Sequence, residues 1–224
     1  MRAIEEESLC LGMVLLTGHS INLTWSLVQS NALQNAALYS EALSEFRTLY
    51  TSEVVSRVQP HGISITHDYQ ERAAAIPLPA TLSIILGQNI AEHGSGGGVK
   101  LYSDYPFPWR KDRPGLDQFE MDALQVLRKE PSTPYYRFDD REGKAVLRYA
   151  TADRMRPHCV ACHNQHPDTP RTGWETGDVR GVLSISLPID PFFVTTQEQL
   201  WQHHRLLTHL LQQVGWHHHK TYCW

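Results

Sequence analysis

Residues 135–150 read Tyr135-Tyr136-Arg137-Phe138-Asp139-Asp140-Arg141-Glu142-Gly143-Lys144-Ala145-Val146-Leu147-Arg148-Tyr149-Ala150. Two runs, Tyr135 to Phe138 and Ala145 to Ala150, flank a charged turn that contains a glycine, which is the pattern of a β-hairpin. Directly after the hairpin stands Cys159-Val160-Ala161-Cys162-His163. A polar loop from Asn164 to Gly177 follows. Val179 to Leu187 then reads as a further strand, with Val182, Ser184 and Ser186 alternating with Leu183, Ile185 and Leu187.

Further out, Val99 to Ser103 predicts a short strand. Asp117 to Lys129 predicts a helix, with Phe119, Leu124 and Leu127 apolar and Asp117 placed to cap it. Pro77 and Pro79 precede a helical stretch, Ala80 to His93. The run Gly94-Ser95-Gly96-Gly97-Gly98 is a turn whose spacing fits no nucleotide-binding loop. Tyr39, Leu43, Phe46, Tyr50 and Val54 recur on one stripe of an amphipathic helix, which Pro60 should end at about Gln59.

Both chain ends carry longer helical patterns. From Leu9 to Ser40 there is no Asp, Glu, Lys or Arg, and 12 of the 20 residues from Leu9 to Val28 are apolar. That length is enough to cross a bilayer, but His19, Ser20, Asn22 and Thr24 weaken the span, and Glu5-Glu6-Glu7 is a poor leader. A membrane anchor and a partly buried helix both stand as readings of residues 1–34. Thr195 to Val214 is helical by composition, and Leu200, Leu207, Leu211 and Val214 are spaced like a short coiled-coil seam. Residues 191–224 therefore read as an exit or linker helix, leaving a central domain at 35–190. The two flanking helices are the candidate surface for a homodimer.

The chain has 224 residues, 41% hydrophobic and 20% charged. A chain of this length can bury a core without disulfide staples. A net charge of -4 and the lack of a basic run speak against a nucleic-acid partner. Four cysteines are too few for a disulfide scaffold. Cys10 and Cys223, near opposite ends, read as free or incidental. The run His217-His218-His219 reads as a surface or truncation feature first and as a metal site second. No nucleophile elbow, His-Glu-x-x-His motif or carboxylate pair supports a hydrolase.

The chemistry is concentrated in Cys159 to His163. C-x-x-C-H is the attachment pattern of a covalent c-type haem: both thiols add to the vinyl groups, and the adjacent histidine reaches the iron. A zinc site built from Cys159, Cys162, His163 and His166 or His158 is one rival. It lacks a second C-x-x-C or a His pair, and adjacent Cys162 and His163 are awkward ligands for one ion. A thioredoxin-like redox pair is another rival, but the cysteines follow a hairpin and do not open a helix of a βαβ unit.

The second axial position has several candidates: His67, His61, His93, Met121 and Met155, or no protein ligand. Met155 stands too near Cys159 to cross the ring, and Met121 sits on an apolar helix face where a core methionine is common. His67 is preferred, against a purely structural histidine bonded to Asp68. For the haem propionates, Arg110, Lys111 and Arg113 cluster after Pro106-Phe107-Pro108-Trp109, and Arg154 and Arg156 lead into the motif. Trp109, Tyr102, Tyr105 and Phe107 can line a haem face or serve as ordinary core aromatics.

A longer series of segments carries a resemblance. It comprises Thr66-His67-Asp68-Tyr69, Ala75 to Thr81, Leu101 to Arg110, Arg148 to Met155, Cys159 to His163 and Gly177 to Leu183. In this order they resemble the c-type-haem PAS-like sensory domain, the input module of bacterial adenylate/guanylate cyclases and histidine kinases, over about Asn35 to Asp190. The resemblance implies an α+β fold: a PAS-like antiparallel sheet with a long N-terminal helix, to which the composition adds the exit helix. It implies covalent haem c at Cys159, Cys162 and His163, an extracytoplasmic or periplasmic location, and redox or gas sensing without turnover. Some members are thought to use a cysteine as second axial ligand. This chain has none between Cys10 and Cys159.

Three functions follow. A sensor would pass a change of oxidation state or of a diatomic gas ligand to the flanking helices, which requires unequal affinity for two conformations. A periplasmic c-type cytochrome would pass electrons to a redox partner. A peroxidase would need an open distal position with acid–base groups. Sensing is the expectation, with electron transfer as the alternative.

Overall fold

The computed structural model describes residues 2–93, 97–111, 114–141, 144–189 and 205. The chain divides into two compact units, Met1–Ala32 with Ile189–Trp224, and Leu33–Pro188. Of the helix expected at Thr195 to Val214 only Arg205, which is helical, is described; the rest lies outside the described residues, as do Cys223, the run of three histidines, Arg113, Glu142-Gly143 and Gly94 to Gly96.

Helix α1 runs Arg2–Leu49. In its first unit Leu15, Leu16, Ile21, Leu23 and Leu27 are each more than half exposed, and Thr24 Oγ1 donates to the Ser20 carbonyl at 2.8 Å. Among the described residues no helix is long and apolar enough to cross a membrane.

In the second unit the tyrosine–leucine stripe follows its period as far as Tyr50, whereas its last member, Val54, is exposed. Leu43 is buried and Tyr39 packs beside it. At Tyr50–Val55 the helix widens into a π-helical turn, then returns to a single α turn, α2 (Ser56–Val58), and a 3₁₀ turn at Gln59–His61. Hydroxyl groups explain the widening. Thr48 Oγ1 and Thr51 Oγ1 donate to the carbonyls of Ser44 and Arg47, at 3.1 and 2.7 Å, and such back-bonding loosens the helical ladder. Gly62, at φ 77°, ends the helix in the left-handed conformation close to where Pro60 predicted.

The main sheet is antiparallel with strand order β3-β6-β5-β4, formed by β3 (Gly98–Tyr102), β4 (Tyr135–Arg141), β5 (Lys144–Arg154) and β6 (Val179–Pro188). The hairpin is β4–β5, with Phe138 opposite Leu147 and Tyr135 opposite Ala150. Both of its strands run longer than the apolar pattern, because polar Asp139 to Arg141 and Thr151 to Arg154 continue the ladder. A separate parallel pair, β1 (Ser64–Thr66) and β2 (Ala75–Pro77), was not expected; Ile65 faces Ile76 in it.

Both faces of the main sheet are covered. On one, Phe119, Ala123, Leu124 and Leu127 of α4 (Gln118–Lys129) pack on Ala150 and Val182. On the other, Leu43 of α1 and Ile84 of α3 (Pro79–His93) pack with Val99, Leu101, Leu183 and Ile185. Strand β6 is thus buried on both sides, which explains its apolar and small residues at every position from Gly181 to Ile185. Gly87 permits the close approach of α3, since a Cβ there would lie 2.6 Å from Val99. The α+β class with a long N-terminal helix and an antiparallel sheet is therefore the observed architecture.

Candidate functional site

Cys159, Cys162 and His163 lie on a short helix, α5 (Pro157–Gln165), which sequence reading had left without a structure. Pro157 occupies its first turn, where no N–H partner is needed. Spacings of three and four residues bring the two thiols and the imidazole to one face of a helix. All three line a cavity of about 810 Å³ in the second unit. Both cysteines are free thiols, Cys159 half-buried and Cys162 exposed.

Burial lowers the His163 pKa to about 4; the Arg180 charge adds to this, Asp153 opposes it and His166 contributes a little. The ring is therefore neutral at pH 7, the form that can donate a lone pair to a metal. Asn164, next on the helix, holds the following loop: its amide donates to the Trp174 carbonyl and accepts from the Trp174 N–H, both at 2.9 Å.

An aromatic series runs away from the helix. The Phe107 ring centre lies 5.4 Å from that of His163 and 4.6 Å from that of Trp109. Trp109 in turn stacks on His67 at 4.2 Å with the planes within 1° of parallel. His166 meets both Phe107 and Trp109 edge-on, at 5.3 and 5.5 Å. The Trp109 Nε1 is buried without a hydrogen-bond partner.

The candidates from the sequence separate clearly. Trp109, Arg110, Lys111, Arg154, Arg156, Tyr102, Tyr105, Phe107 and Met155 all line the same cavity as the motif. His67 is exposed and is not in the lining; it reaches His163 only through the rings of Trp109 and Phe107. Its neighbour Asp68 accepts from Thr66 and Arg72 rather than from His67. His61 and His93 are exposed and away from the lining, and His93 Nδ1 contacts the Asn89 carbonyl at 2.8 Å. Met121 is 42% exposed on α4, so it is not the core methionine its apolar neighbours suggested. Among the described residues no group of three or more His, Cys, Asp or Glu is placed to hold a metal ion.

Sequence reading missed the wall that the end of α1 and the π-helical and 3₁₀ turns after it supply. Arg47, Thr51, Val55 and Gln59 line the cavity at steps of four. Arg47 is buried and pairs with Asp153 at 2.8 Å. On the same side Ser40 Oγ meets Thr151 Oγ1 at 2.7 Å, and Arg156 Nη2 donates to Ser44 Oγ at 2.6 Å. Ser40, Ser44 and Arg47 thus dock α1 along β5 and the entry to α5. The available signal was a charged Arg47 within an apolar stripe, four residues after Leu43.

These features define an α+β domain, an antiparallel four-stranded sheet with a long N-terminal helix, in which a C-x-x-C-H helix faces a cavity of about 810 Å³. Residues 25–188 match the Tll0287-like family model, and the chain belongs to that family, one of sensory and haem-associated domains. No curated protein and no solved structure gives a significant match.

The residues present fit a haem group. Two free thiols and a neutral imidazole share one helix face. The cavity has aromatic walls, a size in the usual range for small-ligand sites, roughly 300–1,000 Å³, and several arginines suited to carboxylates.

Proposed function

We propose that this chain is a haem c sensor domain, with Cys159 and Cys162 as thioether tethers and His163 as the proximal ligand. The observation that carries this reading is the placement of all three side chains on one helix face in the wall of the large aromatic cavity. The haem would supply an iron centre that changes redox state or binds a diatomic gas. The protein's own residues do the rest. His163 stays neutral and therefore able to ligate, the Asn164–Trp174 clamp fixes the helix, and Phe107 and Trp109 would give a bound haem an aromatic wall beside His163. Arg110 and Arg154 are candidate propionate partners.

Sensing is favoured over bulk electron transfer because the motif's flanks are tied to α1. Asp153 and Arg156, on either side of Met155, bond to Arg47 and Ser44, so a shift of α5 has a direct mechanical route to the long helix. We place such a domain outside the cytoplasm, where c-type haem is assembled, and assign it no turnover of its own. One observation favours the electron-transfer alternative: the aromatic series from His163 to exposed His67 is a ring-to-ring path to the surface.

His67 can serve as second axial ligand only if Trp109 and Phe107 move from between it and His163. Ferric and ferrous spectra with carbon monoxide test this. If His67 ligates, His67→Ala converts a six-coordinate ferrous spectrum into one that binds carbon monoxide at least tenfold faster. An unchanged spectrum removes His67 from the iron.

A further inference from the structure

Where α1, β5 and β6 meet at the cavity, Asp153 is asked to neutralise more charge than it carries. Arg47 Nη2 lies 2.8 Å and Arg180 Nη2 3.4 Å from its two oxygens, with side-chain exposures of 6% for Arg47, 15% for Arg180 and 6% for Asp153. Arg156, from the N-terminus of α5, stands near enough for its charge to act on the same carboxylate, yet its hydrogen bonds go to the neutral Ser44. Among the described residues Asp153 is the only acid joined by an ion pair to any of these three arginines. Arg47 also keeps a buried Nε–H without a partner. All four side chains line the cavity that faces the cysteines.

Three guanidiniums against one carboxylate leave two positive charges without an ion-pair partner in a wall that is half-buried to buried. Unpaired charge in such a place is costly. A guanidinium presents a planar fork of donors that matches a carboxylate. We propose that Arg47, Arg156 and Arg180 form a carboxylate-binding subsite in the cavity wall beside the C-x-x-C-H helix. For the identity of its occupant the inference rests on the haem reading: the carboxylate is then a propionate of the porphyrin. A small free carboxylate would meet the same chemistry. Asp153 is the positioning residue that holds two of the three guanidiniums in place.

The test uses the full chain before haem attachment, titrated with protoporphyrin IX and with its dimethyl ester and followed by quenching of tryptophan fluorescence. The diacid should bind roughly tenfold more tightly than the diester, as expected when a charge-assisted contact is lost. Arg180→Gln and Arg156→Gln should each remove most of that preference while leaving the diester affinity unchanged, which shows that the fold and the apolar walls survive. Acetate is the second arm. Excess acetate that abolishes the diacid preference places the propionate in this subsite; equal binding of diacid and diester, with an acetate response in wild type that Arg180→Gln loses, leaves the subsite standing with a free carboxylate as its occupant. Equal binding of diacid and diester, with no acetate response, overturns the subsite. Failure of both porphyrins to bind strikes the haem reading instead; acetate alone then decides the subsite, a response sustaining it and silence overturning it.

Discussion

The Asp153 carboxyl shows how a single residue joins stability to the site. Burial alone would raise its pKa, but the charges of Arg47 and Arg180, the Arg47 hydrogen bond and the charge of Arg156 outweigh burial and hold it at about 2. The folded chain therefore binds this proton less readily than the unfolded chain, whose carboxyl titrates near its ordinary value of 3.8. The contribution is complete above about pH 5 and drains away as the pH falls toward 2, and its full size is on the order of 2 kcal/mol. Urea midpoints measured from pH 2.5 to 6 should fall less steeply on the acid side in Asp153→Asn than in wild type. Parallel acid limbs would show that Asp153 is not the group responsible. At the tether, Cys159→Ser and Cys162→Ser should each leave one thioether, seen as a red-shifted haemochrome band; a band at the wild-type position in both variants would show that neither sulfur is bonded. These proposed tether residues were singled out by the sequence because their spacing is itself the chemistry. Arg47, Arg180 and Asp153 were not, because nothing local tells a buried ion cluster from ordinary surface charges; only the meeting of three distant elements does.

At the scale of elements, α4 and the β4–β5 hairpin were legible almost in full. Asp117 caps α4 in a reciprocal capping box with Glu120, and the same carboxylate accepts from Arg141 and the buried Arg148, at 2.9 and 3.1 Å. Asp117→Ala should therefore cost more than a simple cap, roughly 2–3 kcal/mol, because it also deprives a buried guanidinium of a partner. Chemical denaturation checks this, and a loss below about 0.5 kcal/mol would mean the network is dispensable. Gly87→Val should push α3 off β3, since a Cβ at Gly87 already meets the Val99 side chain at 2.6 Å. A lowered melting temperature is expected, and an unchanged one would contradict that close approach. Helix α5 was missed for a physical reason. It has only nine residues and little apolar periodicity, and it is held by Pro157 and by the Asn164–Trp174 clamp rather than by a buried face. The β1–β2 pair was missed because three-residue strands carry too little alternation to read. The π-helical turn was hidden because its hydroxyl groups look like ordinary polar positions of an exposed helix.

At the scale of the Leu33–Pro188 unit, an antiparallel sheet carries helices on both faces, and the end of its central β5 strand leads into the motif helix, which Arg156 ties to Ser44 of α1. Of the resemblance read from six ordered segments, the Tll0287-like family model over residues 25–188 supports the coarser part, membership of a family of sensory and haem-associated domains. The α+β architecture was therefore recoverable from patterns spread along the chain, whereas the cavity was not, because its wall draws on α1, β1, β3, the 103–116 segment and α5 together. The central claim is that Cys159, Cys162 and His163 hold a covalent haem. The most direct measurement is the alkaline pyridine haemochrome spectrum of the full chain, made with a cytochrome c maturation system and exported, after extraction with acidified acetone. The account predicts that the haem stays with the polypeptide and gives the α-band of a haem with both vinyl groups saturated. Haem that passes into the acetone, or a chain that emerges without haem, would contradict it.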